Sequence, residues 1–436
     1  MTGDELSRPR RVALVAGHFV PSNLASVHRA RLWAQHLAEF GWEPVVVTAH
    51  WTHYEEKPDW DLHALVAPEL RVIRTGALPT RPVRLVGDIG IRAFVPLYRA
   101  LAGLARERAV DFVHITIPSS YCALLGPLLH RRHGVPYGID YIDPWVERSA
   151  TSRRPLGKAW LSQRLARILE PRAVRDVRLI TGISPLYFED VLVRNPRLRG
   201  RVVTAAMPYG SSDRDFEAVR ASPRAPFLFD PDDGRFHVIY AGALLPRAFP
   251  LLERLFTAIR ALVRDEPARM DRFRLHFVGT GLRRDDPTSF VVRPWIERFG
   301  LAPWVDERPE RIGFVDVLSH LTRASAVLVL GSTERHYSPS KVFQAVQAGR
   351  PVLAILHEES SAVGVLRAGR AGVLVTFAEG ELPPVEQFIR ALRTVLDGTG
   401  PRPEDVRFEA FAAYSARESA RSLAAALDRA IGPAPT

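Results

Sequence analysis

With 436 residues, 47% of them hydrophobic and 25% charged, the chain has globular composition and is too long for one ordinary core, so two domains of about 200 residues each fit it. A net charge of +11 points to anionic partners such as nucleotide phosphates or a membrane surface, and no apolar run approaches the roughly 20 residues of a membrane span. One cysteine, Cys122, rules out an intrachain disulfide, and the lack of a zinc pattern, a helix-turn-helix or aromatic residues spaced among basic ones argues against nucleic acid.

The opening MTGDELSRPRRVALVAG has acidic residues before any apolar stretch, so it does not read as a leader and a cytoplasmic location is the default expectation. From residue 11 the chain alternates β-branched runs with amphipathic stretches. RVALVAG (11–17) predicts a strand, SVHRARLWAQHLAEFG (26–41) a helix with Leu32, Leu37 and Phe40 broadly on one face, and EPVVVTA (43–49) the next strand. In the loop between them, Gly17, Pro21, Ser22 and Asn23 are small or turn-forming, which lets a backbone approach a diphosphate or sugar; a plain strand-to-helix turn has the same look. No G-x-G-x-x-G fingerprint is present, which disfavours a dinucleotide redox cofactor. Further strands are predicted at 111–117, 136–142 and 178–184. Two basic amphipathic stretches, 81–108 and 153–175, carry Phe94, Leu97, Tyr98 and Trp160 among arginines; they suit an anionic leaflet, and ordinary surface helices share the pattern.

The segment 211–234, rich in proline and aspartate, reads as a loose interdomain connection. A second series follows: strand 235–242, helix 249–264, strand 273–279, helix 287–299, strand 324–331, a short helix in YSPSKVFQAVQAGRPVLA (337–354), strands 351–356 and 372–377, and an amphipathic helix 408–431. The domains are therefore set at 1–210 and 211–405, followed by a helical segment 406–436. The fold class is α/β, two Rossmann-like domains facing a cleft, with ligands at the carboxyl ends of the strands.

Three strand ends of the second half carry candidates. Gly242 ends the first, and Arg247 follows it, either reaching a phosphate in forked geometry or lying solvated on the surface. Gly279 and Gly281 sit in FVGTGLRR, where they would leave room for a base or ribose. In the short helix, Ser338 is a good N-cap, Pro339 fits the first position and Gly349 stops it. Its start offers N–H groups and Lys341 to an anion. Lys341 and Gln344 are three apart and share a face, while Val342, Phe343 and Val346 point to the sheet.

Taken together, GHFVPSNLASVHRARLWAQHLAEFGWEPVVVT, GVPYGIDYIDPWVE (134–147), YAGAL, FVGTG and YSPSKVFQAVQAGRPVLA resemble, in order and spacing over nearly the whole chain, the retaining GT-B fold glycosyltransferases of family 4, especially bacterial polysaccharide and lipopolysaccharide enzymes. The resemblance implies an N-terminal acceptor domain, a C-terminal nucleotide-sugar domain, and a C-terminal helix crossing back to the first domain. It implies that Arg247 and Lys341 balance the donor diphosphate, aided by the helix start at Ser340, with the Gly17 loop beside it, and that no metal is needed. The family's paired glutamates fall on His336 and Gln344 here, so His336 or the nearby Glu334 would touch the sugar and Gln344 the ribose. Its usual arginine before D-P-W is Ile142, leaving Asp143 as the polar residue near the acceptor, or as a cap on the turn before Pro144. The implied activity is sugar transfer from a nucleotide-sugar to a lipid-linked, polysaccharide or small-molecule acceptor, with peripheral membrane contact. A nucleotide-sugar 2-epimerase of the same fold, and a non-catalytic subunit partnering an active transferase, are the competing readings.

Overall fold

The computed structural model describes residues 9–80, 86–146, 157–244, 246–281, 286–333, 341–378 and 380–432. The apolar runs become parallel strands. β1 (Arg10–Ala16), β2 (Trp42–Ala49), β3 (Arg71–Thr75), β4 (Phe112–Ile117), β5 (Tyr137–Tyr141), β6 (Leu179–Gly182) and β7 (Val203–Ala206) form a seven-stranded sheet in the order β3-β2-β1-β4-β5-β6-β7. β8 (Phe236–Ala241), β9 (Phe273–Val278), β10 (Val305–Arg308), β11 (Ala326–Leu330), β12 (Val352–His357) and β13 (Val373–Phe377) form a six-stranded sheet in the order β10-β9-β8-β11-β12-β13. Central strands such as β4 and β11 are buried along their whole length, as expected where helices cover both faces.

The chain divides into two compact units, Met1–Gly210 with Ala416–Thr436, and Ser211–Ser415. Each is a Rossmann-like α/β domain, and in each the strand order reverses at the first strand: between β1 and β4 in the first unit, between β8 and β11 in the second. Ligands of such sheets bind at the carboxyl ends beside that reversal.

The helix Ala416–Ile431 belongs to the first unit. Ala420, Leu423 and Leu427 are fully buried, Trp33 Nε1 donates to Ser419 Oγ at 2.9 Å, and Trp42 Nε1 donates to Asp428 Oδ1 at 3.1 Å. Before it, Phe408–Tyr414 is a separate 3-10 helix of the second unit, not the start of the long helix the periodicity predicts. There Tyr414 stacks on Phe343 with ring centroids 4.3 Å apart, and Phe411 occupies the space a side chain at Gly369 would take. The segment 211–234 is also less loose than its composition predicts, since Asp213–Ala221 is a helix with Phe216 and Val219 buried and two aspartates at its positive end.

The helix predicted over 287–299 is confined to Arg293–Phe299. Glu307, on β10, sets its start: the carboxylate accepts from the N–H groups of Val291, Val292 and Arg293 at 2.9, 3.0 and 2.6 Å. The remote side chain thus satisfies donors that a helix start leaves open. Among the described residues no helix is long and apolar enough to cross a membrane.

Candidate functional site

In the second unit, the short helix runs Lys341–Gln347, with Val342, Phe343 and Val346 buried and Lys341 and Gln344 half-buried on the other side. Gly349 ends it with φ of +67°, a left-handed turn that glycine adopts without strain. Ser338, Pro339, Ser340, Glu334 and His336 lie outside the described residues.

Lys341 reaches the carboxyl end of β8. Its Nζ donates to Tyr240 Oη at 3.0 Å and stands 4.3 Å from the centroid of that ring. Gly242 makes this possible: a Cβ there would lie 2.5 Å from Lys341 Cε and 2.6 Å from Nζ, and its φ of +119° is one that side chains rarely adopt. Burial pushes the Lys341 ammonium down to about 7, and the Arg311 guanidinium nearby adds to the drop. Gly279 joins the same place, its missing side chain opening toward Gly242 Cα at 3.7 Å and Arg311 at 3.8 Å. Gly242, Gly279, Arg311 and Lys341 therefore converge.

Gly281 serves packing instead. A Cβ there would meet the carbonyls of Pro309 and Ser289 at 2.9 and 3.0 Å, so little room is left for a base. Arg247 is exposed at the end of the β8 loop, and its carbonyl accepts from the Thr333 N–H at 3.2 Å, tying the loops after β8 and β11 together. Arg311 and Tyr240 escape the sequence reading. Arg311 follows β10, a strand too short and polar to stand out, and Tyr240 sits inside an apolar run, where it reads as core.

In the first unit, Gly17 ends β1 and packs closely against Ile89 and Ser119, where a Cβ would lie 2.8 Å from Ile89 Cγ2 and from Ser119 Oγ. Ser22 is fully buried and its hydroxyl donates to Glu56, while Asn23 Nδ2 donates to Asp59 Oδ2 at 2.9 Å. Both brace the neighbouring segment. Asp143 is exposed after β5, and crowding by the protein around it pushes its carboxyl up. Tyr209 lies within electrostatic range of it. Beneath them, Arg29 forks onto Asp140 with both contacts at 2.9 Å, Thr181 Oγ1 donates to the same carboxylate at 2.6 Å, and Arg29 also donates to the Met207 carbonyl at 2.5 Å.

Of the two basic amphipathic stretches, the helix Phe94–Arg106 turns its apolar side inward: Leu97, Leu101 and Leu104 are buried, and Phe94 and Tyr98 pack on the core. The helix Lys158–Ala173 does the opposite, with Leu161, Leu165 and Ile168 exposed by 63%, 39% and 52% among arginines. Trp160 is half-buried under the Arg164 guanidinium, 4.7 Å from its ring centroid. Among the described residues no group of three or more His, Cys, Asp or Glu is placed to hold a metal ion.

No protein-family model matches the chain, and no curated protein sequence does either. Solved structures match it in shape. Sucrose-phosphate synthase from Thermosynechococcus elongatus aligns over 96% of this chain and 97% of its own, with a TM-score of 0.59 at 16% identity. HepE of Anabaena in complex with UDP and glucose covers 96% and 99%, with a TM-score of 0.58 at 15% identity. A UDP-forming α,α-trehalose-phosphate synthase from Burkholderia xenovorans covers 96% and 99%, with a TM-score of 0.59 at 14% identity. The fold is therefore that of the GT-B glycosyltransferases, two Rossmann-like domains with parallel sheets.

Proposed function

We propose that this protein is a retaining glycosyltransferase that uses a nucleotide-sugar, the second unit holding the donor and the first the acceptor. One observation carries the reading: Lys341 is drawn over Gly242 at the strand-order reversal of the second sheet, beside Arg311, leaving a desolvated amine and a guanidinium where a diphosphate would sit. The UDP in the HepE complex gives the fold a matching ligand class. In the reaction the acceptor hydroxyl oxygen bonds to the anomeric carbon on the face from which the phosphate departs, the sugar–phosphate bond breaks, and the acceptor proton passes to the leaving phosphate oxygen. Lys341, Arg247 and Arg311 stabilise the charge that develops there, which replaces a metal ion. Asp143 orients the acceptor. Gln344 hydrogen-bonds the ribose without adding charge.

The acceptor reading, a lipid-linked or polysaccharide substrate met at the inner face of a membrane in the cytoplasm, draws on the exposed Leu161, Leu165 and Ile168 ridge with its arginines. Titration with UDP- and GDP-sugars tests the core proposal. Wild type is expected to bind one nucleotide and slowly release free nucleoside diphosphate, and Arg247→Ala with Lys341→Ala to weaken binding by about 100-fold, the loss of two charged contacts. Sugar interconversion without transfer marks an epimerase, no nucleotide binding by the wild type marks a non-catalytic subunit, and unchanged affinity in the double variant removes this site from consideration.

A further inference from the structure

We infer that His50, Trp51, Trp60 and His63 form a docking strip for a saccharide chain, which makes the acceptor a carbohydrate; this rests on the transferase reading above. The four rings follow one another, with centroid separations of 5.3, 4.9 and 5.8 Å. Trp51 meets Trp60 edge-on at 81°, and Trp60 lies nearly parallel to His63 at 14°. Trp60 is 50% exposed, an unusual state for a residue whose large apolar surface is generally kept from water.

Position argues for a ligand. The strip begins at the residue after β2, whose carboxyl end lies beside that of β1, the edge at which open α/β sheets take substrates. It is also held rigidly. Phe19 N–H donates to Tyr54 Oη at 2.9 Å, Asp59 N–H donates to the Pro21 carbonyl at 2.7 Å, Asn23 donates to Asp59 at 2.9 Å, and Ser22 donates to Glu56. Four bonds thus fasten the segment to the loop after β1, so the rings are set before any ligand arrives.

Chemistry then selects the ligand class. The faces of aromatic rings are electron-rich, and the C–H face of a pyranose is the complementary apolar, weakly positive surface, with hydroxyls at its rim for the imidazoles. Between residues 50 and 65 there are four carboxylates, Glu55, Glu56, Asp59 and Asp61, against one lysine, Lys57. Arg92 donates to the His53 carbonyl at 2.8 Å and Arg74 lies within electrostatic range of His63, so acids and bases are nearly matched around the strip, which suits a neutral sugar chain better than a phosphate-rich polyanion.

A printed array of neutral and acidic oligosaccharides supplies the probe. The wild type is expected to bind neutral oligosaccharides, Trp60→Ala to lose about tenfold or more in affinity, and Trp60→Phe to keep it within about threefold, since a ring face survives. Thermal midpoints and nucleoside diphosphate binding should stay unchanged in both variants. Failure of the wild type to bind any oligosaccharide, or full binding by Trp60→Ala, overturns the strip. Trp60-dependent saccharide binding in a protein that binds no nucleotide leaves the strip standing and sinks the transferase reading instead.

Discussion

Lys341 carries a desolvation cost that a bound anion would offset. Its ammonium is held at about 7 because desolvation and Arg311 both oppose the charged form. A bound diphosphate reverses both effects, since it offers an anion at short range and pulls the amine back toward its ordinary value. The sign follows: at pH 8 the free amine is mostly neutral and the bound one charged, so binding takes up protons. Calorimetric titration of the nucleoside diphosphate in two buffers of different ionisation enthalpy should show uptake approaching about one proton for the wild type, an upper limit set by the single amine, and close to none for Lys341→Met. Equal proton counts in the two proteins would place the diphosphate away from Lys341.

Secondary-structure elements show where sequence reasoning reached and where it stopped. Long apolar runs such as ASAVLVLG became strands, because a parallel strand covered on both faces can hold little else. β3, β7 and β10 carry little sequence signal: RVIRT, VTAA and VDER are short, partly exposed edge strands with few apolar residues to reveal them. The weak signal of β10 also conceals the Arg311 that follows it and the Glu307 that caps a helix 14 residues earlier in the chain. The glycines and Lys341 of the candidate site were legible because strand-end glycines and a basic helix start have a stated chemistry. Trp51 and Trp60 were not, because aromatic residues in a loop carry no periodic signal. Glu307→Ala should lower stability by about 2–4 kcal/mol, the cost of leaving one buried and two part-buried N–H groups without an acceptor, and Glu307→Gln by less. Urea unfolding followed by circular dichroism measures both, and a loss below 0.5 kcal/mol, on the order of an ordinary surface substitution, would show the cap to be dispensable.

For the whole molecule, the decisive feature is that one unit is continuous in the chain and the other is not. Ser211–Ser415 contains its own sheet and core, so this fragment is expected to fold alone with a cooperative thermal transition. The first unit needs Ala416–Ile431, which covers Trp33 and Trp42. Deleting that helix should therefore shift tryptophan emission to the red and remove the first unit's transition while sparing that of the second. A chain that lacks the helix yet keeps both transitions would refute this division of labour.

The same helix sets an order of events during synthesis. A ribosome makes residues 10–206, which hold all seven strands of the first sheet, and must then translate the entire second unit before Leu423 and Leu427 emerge. At about 5–20 residues per second, the second unit occupies the ribosome for on the order of ten seconds or more. During that interval the first sheet waits with an apolar flank uncovered, so the nascent chain, more than the finished protein, is the form that a chaperone would recognise.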